Sequence, residues 1–220
     1  LRTYDPKHIC MVALGGSGGQ IDVFSAKRFD AAAEEIYPVN GGSEINLVYK
    51  SSLGIVANSL IWKQSPWVAL QTFNWNENSK QRMPTFNEYY NMLYQSIVAG
   101  VKGVLLYTYH EGSNGVDADI NLWNGIKTTV PEINKIKSFL TDAATWEYQN
   151  QVLAIVVHAG KYRSYFDPST NTADLRNVSL PLPAGTLGNV QAAFVNRPTG
   201  MTIVNGKLEG KINLLDVHAY

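Results

Sequence analysis

The chain has 220 residues, 18 basic and 18 acidic side chains and a formal net charge of +0. That length can bury a core without disulfides or metal, and the balanced charge argues against a dedicated nucleic-acid binder, which carries a basic excess. Charged residues are 16% and aromatic residues 11%, with 12 Tyr and 5 Trp, where soluble domains carry about 25% charged residues; such a composition suits a neutral polar ligand such as a sugar.

Residues 8–14 are a continuous apolar run, the pattern of a strand buried on both faces. The single cysteine, Cys10, lies inside it, which excludes an intramolecular disulfide and reads as a small buried hydrophobe. Residues 30–39 fit a helix by alanine content, stopped by Pro38, or a short strand at 33–37. Residues 44–62 are helical in pattern, with Leu47, Leu53, Val56, Leu60 and Ile61 toward one side. Residues 67–73 are a second buried strand, entered through Pro66. Thr85-Phe86-Asn87-Glu88 has the form of a capping box, and its helix runs to about Ala99 with Gly100 as the stop. Residues 101–109 form another apolar strand. Residues 126–140 are helical, interrupted at Pro131, with lysines late in the run. Strand alternating with helix predicts parallel βα units, an α/β fold.

The texture changes between residues 141 and 147. An apolar stretch at 151–157, an alternating one at 162–166 and short strand patterns at 178–182, 190–195, 201–204 and 212–220 follow at intervals near ten residues, broken by the turn cluster Asp167-Pro168-Ser169-Thr170 and the hairpin signal Asn205-Gly206. They predict an antiparallel β-sandwich over residues 145–220, after an α/β domain over 1–144. No apolar stretch reaches the roughly 18 residues of a membrane span. The sequon Asn177-Val178-Ser179 points to a secreted or extracellular location.

Asp5-Pro6-Lys7-His8 before a strand, Glu35-Ile36-Tyr37-Pro38, Ala69-Leu70-Gln71-Thr72-Phe73, Arg82-Met83-Pro84-Thr85 with Glu88, and the Gly-led run of residues 103–109 occur in that order. Together they resemble the last four βα units of (β/α)₈-barrel glycoside hydrolases and glycosidase-like proteins, which continue into a C-terminal β-domain. The resemblance implies that four βα units form part of a barrel whose closure takes eight strands. It also implies that Leu1 opens a processed or cropped C-terminal half, with an N-terminal half as a separate partner chain.

Barrel active sites lie at the C-terminal ends of the strands. Glycoside hydrolysis needs one carboxylic acid to protonate the leaving oxygen and one carboxylate to attack or to activate water; it needs no cofactor. Related enzymes take the acid from the fourth strand, absent here, and the nucleophile from the seventh, where this chain carries Gln71. The candidate catalytic carboxylates are therefore Glu35, ahead of Tyr37 at a strand end; Glu111, where His110 and aromatic rings favour the protonated acid; and Glu77 in a polar aromatic loop. Trp75, Tyr37, Tyr107, Tyr109 and Trp123 offer rings for stacking on sugar faces, and Gln71, Asn74 and His110 offer hydrogen bonds to hydroxyls. Arg82 is a further pocket candidate, with a structural ion pair as its other role.

Two other readings compete. Gly15-Gly16-Ser17-Gly18-Gly19 matches the nucleophile elbow of serine hydrolases, with Asp117 and His158 following in the required order, but residues 20–24 read extended where the elbow needs a helix. A non-catalytic carbohydrate-binding or structural fragment fits Gln71 and the missing strand. Metal binding has little support: His8, His110, His158 and His218 show no ligand spacing, and Asp117 and Asp119 resemble a calcium loop only in part.

Overall fold

The computed structural model describes residues 4–15, 29–77, 81–141, 147–148, 151–160, 175–186, 190–193 and 200–220. Four runs pair in parallel as β1 (Met11–Gly15), β2 (Ala31–Ile36), β3 (Ser65–Gln71) and β4 (Gly103–Tyr107), in the order β1-β2-β3-β4. The alanines of 31–33 belong to a strand and not to a helix: flanked by β1 and β3, all three are buried, and pairing overrides helix propensity. Pro38 opens the short helix α1 (Pro38–Gly41), which ends at Gly42 with φ 66°.

The first strand departs from its expected double burial. Val12 and Leu14 pack against the core, whereas Met11 is 38% exposed and Ala13 and Gly15 are exposed. Cys10 is half-buried, and its N–H donates to Asp30 Oδ2 at 2.9 Å.

Helices α2 (Leu47–Trp62), α3 (Phe86–Val98) and α4 (Ile120–Thr141) complete the α/β part. The buried row of α2 is Val48, Ser52, Ile55 and Ser59, while Leu53 and Ile61 are exposed and Leu60 is 76% exposed, so the expected apolar side is not the packed one. Small side chains select the face: Ser52 Oγ donates to Ser96 Oγ at 3.4 Å, a close approach of α2 to α3 that a leucine row would prevent.

Helix α3 is buried nearly all round, from Glu88 to Ile97. Its capping box has both arms, with Glu88 N–H donating to Thr85 Oγ1 and Thr85 N–H donating to Glu88 Oε2. Its buried amides satisfy one another: Gln95 Nε2 donates to Asn91 Oδ1, Asn91 Nδ2 to the His158 carbonyl, and the Tyr49 N–H to Gln95 Oε1.

Helix α4 begins earlier than the pattern predicts and passes through Pro131. Asp119 caps it, accepting from the N–H groups of Asn121 and Leu122. Asp119 thus has a local role in place of a calcium-loop one.

The remaining strands are β5 (Glu147–Tyr148), β6 (Gln151–Val152), β7 (Ile155–Val157), β8 (Arg176–Pro181), β9 (Met201–Val204), β10 (Lys207–Ile212) and β11 (Val217–Ala219). They form separate antiparallel sheets, β8-β10-β9, β11-β7 and β5-β6. The run 151–157 is split into β6 and β7, β10 and β11 divide the span around 212–220, and residues 190–193 carry no strand; the expected segments 162–166 and 167–170 lie outside the described residues. Asn205 and Gly206, with φ 49° and 73°, make the β9–β10 hairpin turn.

Alternation along β7 and β11 divides two cores. Ile155, Val157, Val217 and Ala219 join the core of α3 and the parallel sheet, whereas Val156 and Tyr220 join Met201, Leu208 and Ile212 of the three-stranded sheet. Residues on both sides of the 144/145 boundary therefore share the first core.

Candidate functional site

Parallel strands end together, and here the ends of β2, β3 and β4 deliver a carboxylate and a ring cluster. Registers set Glu35 opposite Gly15 and Ala69, and Gln71 opposite Tyr107. Period-two alternation keeps Glu35, Tyr37, Gln71, Phe73 and Tyr107 toward one side of the sheet. The Tyr37 ring lies 5.0 Å from Phe73 and 6.0 Å from Tyr107, and Phe73 lies 5.3 Å from Tyr107 and 5.5 Å from Trp75. Edge-to-face geometry between Tyr37 and Phe73, and between Phe73 and Tyr107, rigidifies the cluster. Trp75 is 42% and Tyr107 44% exposed, so the cluster presents ring surface to solvent. The Tyr107–Thr108 peptide is cis.

Glu35 is half-buried, and the Tyr37 hydroxyl is hydrogen-bonded to it. Burial first, then the charge and hydrogen bond of Glu35, hold the Tyr37 phenol well above its ordinary range. Tyr37 therefore stays protonated and donates to the carboxylate.

Gln71 is wholly buried beneath the rings. Its Nε2 donates to the Phe73 carbonyl at 3.0 Å, and its Oε1 accepts from the Asn40 N–H at 3.2 Å. Asn40 Nδ2 donates to the same carbonyl at 3.1 Å. The glutamine and asparagine brace the floor and do not face a ligand as the sequence reading expects of Gln71.

The other candidates lie in different surroundings. Asn74 orders its loop, its N–H donating to the Asn114 carbonyl and its Oδ1 accepting from the Asn76 N–H. Glu77 and Glu111 are exposed. Tyr109 packs edge-on against Trp123 at 5.2 Å, and Lys127 Nζ lies 5.8 Å from the Trp123 ring, a pair separate from the four-ring cluster among the described contacts. His110 Nδ1 is 2.5 Å from Asp117 Oδ2, so Asp117 is bound to His110 and not to His158. The loop needs Gly115, because a Cβ there would lie 2.6 Å from the Tyr109 carbonyl oxygen. Ser17 lies outside the described residues. Among the described residues no group of three or more His, Cys, Asp or Glu is placed to hold a metal ion, and no described helix is long and apolar enough to cross a membrane.

A cavity of about 680 Å³ opens beside the cluster, lined by Glu35, Tyr37 and Trp75 and continuing to Glu34, Leu47, Lys50, Ser51 and Gly54. Phe73, Asn40 and Glu34 are the residues that sequence reasoning missed. Alternation from Gln71 gave a signal for Phe73; Asn40 read as part of a turn, with no signal of its bridging role. Compared with known proteins, the chain matches no family model, no curated protein and no solved structure.

Proposed function

We propose that the chain binds a carbohydrate across the Tyr37–Phe73–Trp75–Tyr107 mouth, with Glu35 as its central carboxylate, as the C-terminal half of a glycosidase-like (β/α)₈ barrel followed by an antiparallel β-sandwich. The observation that carries this is one half-buried carboxylate beside a solvent-facing ring cluster at the C-terminal ends of parallel strands. Sugar rings present C–H faces that pack on aromatic planes, and their hydroxyls match a carboxylate acceptor. Parallel strands in sequential order support the partial barrel, and the second core between antiparallel sheets supports the sandwich.

Hydrolysis needs a second carboxyl group across the scissile bond. Glu35 fits the base or nucleophile, because the Tyr37 hydroxyl is held against it as a hydrogen-bond donor. A polypeptide that completes the barrel supplies the acid; without it the chain binds glycan and does not cleave it. A glycan ligand and the sequon together favour an extracellular location.

Tryptophan fluorescence tests the reading directly, through titration with neutral gluco-, manno-, galacto- and xylo-oligosaccharides. A saturable change with one series is expected, weakened at least about tenfold in Trp75→Ala, with a cooperative thermal unfolding transition retained as the folding control, since Trp75 is 42% exposed. A wild-type protein that responds to none of the four series overturns it.

A further inference from the structure

Glu34 precedes Glu35 on β2, and alternation turns it to the opposite face, under α2. It is 3% exposed, and among the described residues its Oε2 has no hydrogen-bond partner, while Ser51 bonds the carboxyl. Buried polar atoms in folded proteins are matched almost without exception, so an unmatched carboxyl oxygen asks for an explanation.

The cavity beside the ring cluster supplies one. Glu34 lines it together with Glu35, Tyr37 and Trp75, so both faces of β2 open into one space. Gly15 ends β1 opposite Glu35 and lines the same cavity, and a Cβ there would come within 3.5 Å of Glu35 Oε2. On the far wall α2 presents Ser51 and Gly54, and a Cβ at Gly54 would meet nothing within 4 Å. The space behind the mouth is therefore walled on α2 by Leu47, Lys50, Ser51 and Gly54, is open at Gly54, and ends on the Glu34 carboxyl.

We propose that Glu34 is a specificity-determining residue of the glycan site: Oε2 accepts a hydrogen bond from a sugar hydroxyl that reaches past the ring cluster into the cavity. This rests on the carbohydrate reading and adds which chemistry is selected. Lys50 lines the same cavity and balances part of the carboxyl charge, so the selection is by hydroxyl position and not by ligand charge. A buried acceptor also rejects a ligand that lacks the matching hydroxyl, because the acceptor is then left unpaired.

The test uses the tightest-binding neutral oligosaccharide and its monodeoxy analogues, titrated by tryptophan fluorescence against wild type, Glu34→Met and Gly54→Leu, with thermal melting as the folding control. In wild type one deoxy analogue binds at least about tenfold more weakly than the parent. Glu34→Met abolishes that one difference and keeps the others. Gly54→Leu fills the cavity and favours the helix, so it folds, and it weakens the parent glycan by a similar factor. Glu34→Met that discriminates as wild type does, or Gly54→Leu that binds the parent unchanged, overturns the proposal while Trp75-dependent binding stands. A wild type that binds no glycan overturns the carbohydrate reading itself.

Discussion

Arg82 holds the wholly buried carboxylate of Glu88 through two parallel hydrogen bonds, Nη1 to Oε2 and Nη2 to Oε1, each 2.7 Å. Glu88 also accepts from the Thr85 N–H and hydroxyl, so the ion pair and the capping box of α3 share one carboxylate. Arg82 is thus committed to structure and not to a ligand pocket. Removing one partner of a buried pair leaves an uncompensated charge, which costs about 3–5 kcal/mol. Arg82→Leu should lose stability on that scale in denaturant unfolding; a loss under about 1 kcal/mol would assign the pair the weight of an exposed one.

Trp67 lies across Gly103 on the neighbouring strand, and a Cβ built on Gly103 would sit 2.1 Å from Trp67 Cδ2. The indole is tethered by Nε1 donating to Ser65 Oγ at 3.0 Å, so it has little freedom to withdraw. Gly103→Ala should cost about 1–3 kcal/mol by overpacking and shift tryptophan emission to longer wavelength as the ring is pushed toward water. Unchanged emission with unchanged stability would show that the ring does not rest there in solution.

His218 gives the β-strand part a pH dependence. It is buried on β11, its Nδ1 is 3.0 Å from the Tyr220 hydroxyl, and its Nε2 is 3.9 Å from Asp216 Oδ2. Burial lowers its pKa from the usual 6.5, and the Asp216 charge offsets part of that. Above pH 6.5 the imidazole is neutral in both states and the stability is fully present. As the pH falls below that value the unfolded chain takes up a proton that the folded chain resists, and stability is lost through the lower folded pKa. The difference in unfolding free energy between wild type and His218→Leu should therefore shift against the wild type between about pH 6.5 and 5. A difference that is flat over this range would mean that the imidazole takes up its proton as readily in the folded state.

Elements whose signals were local were legible in the sequence. Thr85 and Glu88 announce the start of α3, and Asn205-Gly206 announces its hairpin, because the groups that make these structures are a few residues apart. What depended on distant partners was not. The packed face of α2 is chosen by the fit of Ser52 against Ser96, and hydropathy points to Leu53 and Leu60 instead. Met11 is exposed because β1 lies at the edge of the sheet among the described residues, which no local pattern records. At the mouth, Glu35, Tyr37, Trp75 and Tyr107 were legible as strand-end residues. Glu111, Glu77 and the Tyr109–Trp123 pair read the same way and are not part of the ring cluster, since loop paths, and not sequence proximity, decide where such residues go.

Gln71 poses the sharpest alternative, because under the proposed glycosidase-like reading a glutamate at that place on β3 would be the nucleophile. Restoring it by Gln71→Glu would create activity if the residue faced the ligand. The geometry says otherwise. Nε2 donates to the Phe73 carbonyl, a bond that a carboxylate cannot make, and Asn40 Nδ2 already donates to that carbonyl. The substitution would aim a carboxylate oxygen at a carbonyl oxygen in a wholly buried site and keep only the Asn40 N–H as donor to the side chain. Loss of about 1–3 kcal/mol is expected at neutral pH, partly recovered at acid pH where a protonated acid can donate to the carbonyl again. No glycosidase activity should appear. Denaturant unfolding of Gln71→Glu at two pH values, alongside an aryl-glycoside assay, decides this: activity gained with stability unchanged would place residue 71 on the ligand side of the floor.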